Sequence, residues 1–285
     1  MTWTVRLLLA GLVLAASPAL AVDRLARDAG QPIVFGRTFQ VQSAALQDTR
    51  RVNILVPEGY DDPKQSQARY PVLYLLDGGT GWQDFFHIAS LVNQGGIWGA
   101  NAPMIVVGIE SKDRKAEFTS PSSDPSEQKD FPSHGKAEDF RRFLVQELKP
   151  RIEAAYRTDG TDGLIGESLA GLFVVETALL HGAAFDRYIA VSPSLWWDRQ
   201  RLASDATALL RTRRQPERIL WLSMADEGGS MQAGMDRLTA ALGGNPDVGL
   251  RWSYTAFPME KHATVYHPAA TQAIRQVFPL PAASR

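Results

Sequence analysis

Residues 163–171 read Gly163-Leu164-Ile165-Gly166-Glu167-Ser168-Leu169-Ala170-Gly171. A short apolar run, which predicts a strand, enters a turn of small residues with a serine at its apex, and an apolar helical stretch follows. This is close to the G-x-S-x-G nucleophile elbow, in which a sharp strand-to-helix turn lifts the serine oxygen above a sheet. Backbones crowd at such a turn, so small residues are needed two positions before and after the serine. Gly166 meets the first requirement, and Ala170 stands at the second, one methyl larger than the usual glycine. Five-residue matches arise by chance, so the strand before and the helix after carry the weight.

Outward from this turn the chain alternates between extended and helical patterns. Residues 33–41 and 51–56 alternate apolar with polar and predict an antiparallel pair at a sheet edge. Continuous apolar runs at 72–76, 104–109, 163–166 and 188–191 predict buried strands. Runs at 219–224 and 251–257 complete eight candidates. Helical spacing is found at 82–93, 137–156, 169–180, 202–211, 231–242 and 269–277. In 137–156 the residues Phe140, Phe143, Leu144, Leu148 and Ile152 share one face. Strands alternating with helices predict an α/β protein, an eight-stranded mostly parallel sheet with helices on both faces. Residues 111–135 break this rhythm: they are polar, carry Pro121, Pro125 and Pro132, and show no period. Following the strand that ends at Ile109, they predict a loop that lines the pocket beside the serine.

The chain has 285 residues, 45% of them apolar, and a net charge of −1. That balance gives no reason to expect nucleic acid as a partner. It has no cysteine, so disulfides, thiolate chemistry and cysteine-ligated metal are excluded. At the N-terminus Arg6 precedes a short apolar stretch, 7–16, and Pro18 and Ala19-Leu20-Ala21 follow. These features predict a signal peptide, 1–21, cleaved after Ala21. The apolar run is short for a membrane span. The mature chain, 22–285, shows no internal repeat or linker and reads as a single domain, periplasmic or secreted.

A serine hydroxyl needs a base within hydrogen-bond reach and a group to orient that base. In an elbow of this type the chain order is serine, acid, histidine. Order removes His87 and His134. His181 ends the helix that starts at the serine and is carried away from it. His262 lies just past the last predicted strand, where a loop can return it to Ser168. His267 suits a capping or surface role. The acid is expected in the loop after strand 219–224, where Asp226 and Glu227 stand side by side, unranked by the residues alone. Backbone N–H groups stabilise a developing oxyanion well because they are fixed before reaction. Leu169, next after the serine, offers one, and the loop Asp77-Gly78-Gly79-Thr80-Gly81 offers a second from Gly79 or Gly78. A plain glycine turn would have the same composition. Trp82, Trp98, Trp196 and Trp197 fall in or near loops after strands, and Trp82, Trp196 and Trp197 are candidates for substrate contact.

Three stretches together resemble the esterase D family of α/β-hydrolases. Tyr70-Pro71-Val72-Leu73-Tyr74-Leu75-Leu76-Asp77-Gly78 is similar to that family's third strand. Ile165-Gly166-Glu167-Ser168-Leu169-Ala170-Gly171-Leu172-Phe173 resembles its elbow. Phe185-Asp186 and Ile189-Ala190-Val191-Ser192-Pro193-Ser194-Leu195-Trp196-Trp197-Asp198 resemble its sixth strand and following loop. The resemblance runs over 36–278 and is nearest to bacterial siderophore esterases, which open enterobactin-like trilactones, and to their exported relatives. It implies the α/β-hydrolase fold, carboxylic ester hydrolysis through Ser168 and His262, a small-molecule ester substrate, and no metal or other cofactor. It favours Glu227 over Asp226 as the acid. Glu167 and Ala170 depart from the commoner Gly-His-Ser-x-Gly-Gly form.

Other functions remain open to the same residues: a feruloyl or acetyl esterase acting on polysaccharide-linked acyl groups, an acyltransferase using the same serine, or a binding protein on an inactive hydrolase scaffold. An anionic siderophore would be met by scattered cations such as Lys112, Arg114 and Lys115. The sequence contains no metal-ligand spacing, and oligomeric state is not legible in it.

Overall fold

In the computed structural model, which describes residues 31–212, 217–246 and 249–280, the continuous apolar runs become the inner strands of one sheet. The predicted signal peptide lies outside the described residues. By contacts the chain divides into Met1–Phe35 and Gly36–Arg285, and the second unit contains every element below.

Its strands are β1 (Arg37–Ser43), β2 (Asp48–Leu55), β3 (Tyr70–Leu76), β4 (Ile105–Ile109), β5 (Thr158–Glu167), β6 (Arg187–Val191), β7 (Arg218–Ala225) and β8 (Leu250–Phe257). They lie in the order β1-β2-β4-β3-β5-β6-β7-β8. β1 and β2 pair antiparallel, as do β2 and β4; every other pairing is parallel. The helices are α1 (Phe85–Ile97), α2 (Arg114–Glu117), α3 (Pro125–Asp130), α4 (Ala137–Arg142), α5 (Lys149–Ala155), α6 (Leu169–Leu180), α7 (Trp197–Thr212), α8 (Gly229–Gly243) and α9 (Tyr266–Val277). This is the α/β-hydrolase architecture that the sequence predicts.

Every residue of β3 and β4 is buried, because both faces of the sheet are covered. Side chains alternate across a strand. Val72, Tyr74 and Leu76 join Phe140, Phe173, Leu220, Leu222 and Leu238 in one core. Leu73 and Leu75 are as fully buried and face the opposite side. There α1 packs against α9, and Trp221 Nε1 donates to Gln276 Oε1 of α9 at 2.8 Å. α6 is buried along almost its whole length, as its unbroken apolar sequence requires.

Four readings shift. β1 starts at Arg37 rather than at 33, and α1 starts at Phe85, leaving Trp82 in the preceding loop. The run 137–156 is not one α-helix: a π-helical turn, Phe143–Leu148, separates α4 from α5, immediately before Pro150, which has no N–H to donate. Segment 111–135 is not structureless. Asp113 accepts from the N–H groups of Lys115 and Ala116 to start α2, and Asp124 accepts from those of Ser126 and Glu127 to start α3. Phe118, between these helices, is wholly buried.

Charged pairs fix this segment and its neighbours to the core. Arg141 donates to Glu176 at 2.7 Å, to Thr177 at 3.1 Å and to Glu138, while Ser120 donates to Glu176 at 2.7–2.8 Å. Arg141 and Glu176 are both buried. Breaking one half of such a pair leaves an uncompensated charge, which costs more than losing both halves. Arg141→Ala is therefore expected to cost about 3–5 kcal/mol in urea unfolding, and the double change Arg141→Leu with Glu176→Leu distinctly less.

Candidate active site

Parallel strands deliver their following loops to the same sheet edge. The loops after β3, β5, β7 and β8 meet at the carboxyl ends of the strands, where α/β sheets bind ligands. Ser168 stands between β5 and α6 with φ 60° and ψ −120°. A non-glycine residue enters this region only under restraint. Its N–H donates to Val191 O at 3.0 Å, and its carbonyl accepts from Ser194 N at 3.0 Å and Leu172 N at 2.9 Å. A Cβ on Gly166 would come within 2.8 Å of Ala170, and one on Gly171 within 2.9 Å of Val191 O. The alanine at the expected glycine position is tolerated because Gly166 gives way to it.

His262 lies on the loop between β8 and α9. Its Nε2 is 3.0 Å from Ser168 Oγ and its Nδ1 is 3.0 Å from Glu227 Oε2. The adjacent carboxylates separate by environment. The Glu227 side chain is 7% exposed and faces the imidazole, whereas Asp226 is 60% exposed and pairs with Lys261. Gly228 and Gly229 follow with φ of 62° and 52°, a left-handed step that glycine takes without penalty and that leads the chain from Glu227 into α8. Asp226 N donates to Glu260 O at 3.0 Å, so the acid loop and the histidine loop are tied through their backbones. Ser194, which is not among the site residues expected from the sequence, places Oγ 3.3 Å from Ser168 Oγ. The resemblance contained it, in Ser192-Pro193-Ser194, without assigning it a role.

The proposed oxyanion donors divide. Leu169 opens α6, where a helix has no internal acceptor for its N–H groups. Gly79 and Gly78 are engaged elsewhere: Gly79 N donates to Gln83 Oε1 at 2.9 Å and Gly78 N to Ile109 O at 2.8 Å. A Cβ on Gly78 would lie 2.3 Å from Gly108 Cα. That glycine allows β3 and β4 to approach closely at their ends. Gln83 also accepts from Ser111 N at 3.1 Å and donates to Ser111 O at 2.9 Å, locking this loop to segment 111–135.

Of the tryptophans, Trp82 is 77% exposed in the loop after β3. Trp196 is half-buried against Phe131. Trp197 is 4% exposed, donates from Nε1 to Ser120 O at 2.9 Å and packs on Phe131 and His134. Its indole is thus largely engaged in packing. The cations suggested for an anionic ligand have local partners: Lys112 with Asp48 at 3.1 Å, Arg114 with Asp77 at 2.9 Å, and Lys115 with the carbonyl of Asp130 at 3.0 Å.

The family described as "Putative esterase" matches residues 43–242. The ferri-bacillibactin esterase BesA of Bacillus subtilis is 29% identical over 227 residues, spanning 73% of this chain and 78% of that protein. An IroE-like serine hydrolase from Shewanella oneidensis superposes with a TM-score of 0.75 at 28% identity, covering 85% of this chain and 80% of that one. The BES protein from Bacillus cereus superposes with the same TM-score at 24% identity, over 88% and 99% of the two chains.

Glu167, beside the nucleophile, is pushed up to about 8 by burial first and by the charge of Asp84 next, with Arg114 opposing. Between its ordinary value of 4.5 and 8, the folded chain keeps a proton that the unfolded chain releases. Stability from this residue therefore falls as pH rises through that window and levels off above it. Glu167→Gln removes the titration, so its Tm relative to the parent should rise between about pH 5 and about pH 8.5. An unchanged difference across that range would show that the carboxyl is not held neutral.

Proposed function

We propose that this chain, which belongs to the esterase family of α/β-hydrolases and is a serine carboxylic ester hydrolase, opens siderophore-type lactone esters through an acyl-enzyme on Ser168. One observation carries the mechanism: the unbroken relay Ser168–His262–Glu227, with both contacts at 3.0 Å. In this reading Ser168 Oγ attacks the ester carbonyl and His262 Nε2 takes its proton. Glu227 holds the imidazole in the tautomer that carries hydrogen on Nδ1 and stabilises the cation that forms. The leaving alcohol takes the proton from Nε2. Water then attacks the acyl carbonyl while giving a proton to the same nitrogen, and that proton passes to Ser168 Oγ as the acid leaves.

Leu169 N–H is one oxyanion donor in this scheme. The second comes from the amides of Thr80, Gly81 or Trp82, further along the loop than the engaged Gly78 and Gly79. Preorganised backbone donors cost no reorganisation during reaction, and the loop is held by Gln83 on one side and α1 on the other.

The substrate class rests on the names of the relatives, a ferri-bacillibactin esterase among them, and on the openness of the site. The His262 side chain is 45% exposed, so a bulky macrocyclic ester can reach the relay without a deep pocket. Exposed Trp82 favours a second reading, a feruloyl ester whose planar ring stacks on the indole. Residues 1–21 carry the features of a cleaved export signal, and we assign the mature enzyme to the periplasm or medium on that basis. Among the described residues no helix is long and apolar enough to cross a membrane.

A screen of purified protein against trilactone siderophores, feruloyl sugars and short acyl esters separates the substrate readings. Ser168→Ala should lower kcat by roughly 10⁴–10⁶ on any accepted ester and abolish labelling by a fluorophosphonate. Glu227→Gln should lower kcat by about 10⁴, and Asp226→Asn by less than about threefold, as for an exposed ion pair. Equal losses in the last two variants would overturn the choice of acid.

A further inference from the structure

Two histidines that the relay does not use converge on Asp84. This residue is the N-cap of α1, where an aspartate ordinarily accepts from the backbone N–H two or three residues on. It makes no such bond. Its Oδ1 lies 3.1 Å from His87 Nδ1 and 3.2 Å from His267 Nε2. His87 is in the first turn of α1 and His267 in the first turn of α9, 183 residues beyond Asp84. The two rings meet edge to face with centroids 4.7 Å apart. The potential ligand atoms of the three residues all lie within 4.8 Å of one another.

We propose that Asp84, His87 and His267 form a binding site for a divalent transition-metal cation of the Zn²⁺ type, separate from the hydrolytic relay. Two imidazoles and one carboxylate are a donor set that Zn²⁺ takes readily, with water in the fourth position. Ligands about 2.0–2.1 Å from a tetrahedral ion lie roughly 3.3 Å from one another. The two observed carboxylate-to-imidazole separations of 3.1 and 3.2 Å are near this edge length, and the exposed imidazoles can rotate to set the third, which is within 4.8 Å. A neutral imidazole ligates through its unprotonated nitrogen, with the proton on the other. Both histidines are exposed, which gives the ion access from solvent.

The location gives the site a consequence. α1 follows directly on the loop 77–84, and α9 follows directly on the loop that carries His262. An ion held by Asp84, His87 and His267 clips together the starts of both helices and so restrains two loops of the ester-cleaving edge. The clip is a spatial product of the fold. In sequence only Asp84 and His87 are near each other, three residues apart, which is a common helix-start spacing and no metal signature.

The test uses untagged protein, stripped with chelator and titrated with Zn²⁺ by calorimetry and by thermal unfolding. One equivalent per chain should bind and raise Tm. His87→Ala and His267→Ala should each weaken binding by at least about tenfold, since even residues behind metal ligands matter by 10–100-fold. Changing both should abolish the Zn²⁺-dependent rise in Tm. His262→Ala, which dismantles the other imidazole–carboxylate pair, should keep one equivalent and the rise. Co²⁺ bound to the unaltered chain should give the visible bands of a four-coordinate ion, a readout that does not depend on any variant folding. Absence of stoichiometric binding, a six-coordinate cobalt spectrum, binding undiminished in the double variant, or loss of binding in His262→Ala overturns the proposal.

Discussion

The left-handed backbone of Ser168 is held by three hydrogen bonds, from its N–H to Val191 O and to its carbonyl from Ser194 N and Leu172 N, and the site is arranged around them. Strained backbone of this kind costs of order 1–3 kcal/mol and persists only where the surroundings over-determine it. Here they do so from both sides. The end of β6 receives the N–H, while the 192–194 turn and the first turn of α6 engage the carbonyl. Gly166 and Gly171 provide the clearance that lets these backbones approach. The same restraint brings Ser194 Oγ alongside Ser168 Oγ and points the nucleophile out of the sheet toward the loop from β8. The placement of Ser168 is thus a property of the β5–β6 packing before it is a property of His262.

Behind the nucleophile the electrostatics are acidic. Burial first, and then the charges of Asp84, Asp77 and Glu227, hold Glu167 above its ordinary value, with Arg114 opposing. Burial raises Asp77, opposed by Arg114, whose guanidinium donates to both of its oxygens and also reaches Glu167 O at 3.4 Å. Arg114 is committed to Asp77 and to the backbone of the elbow, and burial is the first cause of the raised Glu167 carboxyl. Glu227 accepts the imidazole as its partner, and Asp84 accepts two more at the rim. Position 167, a histidine in the commoner form of the elbow, is here a carboxyl raised by burial, with Glu227 among the charges that act on it.

The inner sheet was legible because burial on both faces forces continuous apolar runs, and β3 to β7 show them. The edge was less so: 33–36 alternate like a strand, yet β1 begins at Arg37, where pairing with β2 begins. The helices of 111–135 escape periodicity because four or six residues are too few to show a face; their signal is instead the capping aspartates 113 and 124. The meeting of His262 with Ser168 could be read from chain order. Asp226 and Glu227 could not be ranked that way, since Lys261, which draws Asp226 aside, is 35 residues distant. The surroundings of Gly78, Gly79 and Trp197 were hidden in the sequence for a related reason. Their composition suits a pocket, but Gly108, Gln83 and Ser120 engage them in packing or hydrogen bonds that only the tertiary structure shows.

Segment 111–135 was expected to line the pocket, and its attachments define what kind of lining it can be. Asp198 accepts from Ser123 N and Oγ, both at 2.8 Å, and its own N–H donates to Glu127 Oε2 at 2.8 Å. Arg199 pairs with Asp124 at 2.9 Å. Asp198, Arg199 and Gln200 are all left-handed, with φ of 47°, 55° and 62°, a run that non-glycine residues avoid unless neighbours hold it. The strained turn at the start of α7 and the α3 region therefore restrain each other, while Arg114 and Gln83 secure the segment's other end to the β3 loop and the elbow. A segment fastened at both ends is a fixed wall. On the proposed reading, in which this segment lines the ester site, selection would come from its fixed shape and from exposed residues such as Trp82 rather than from closure.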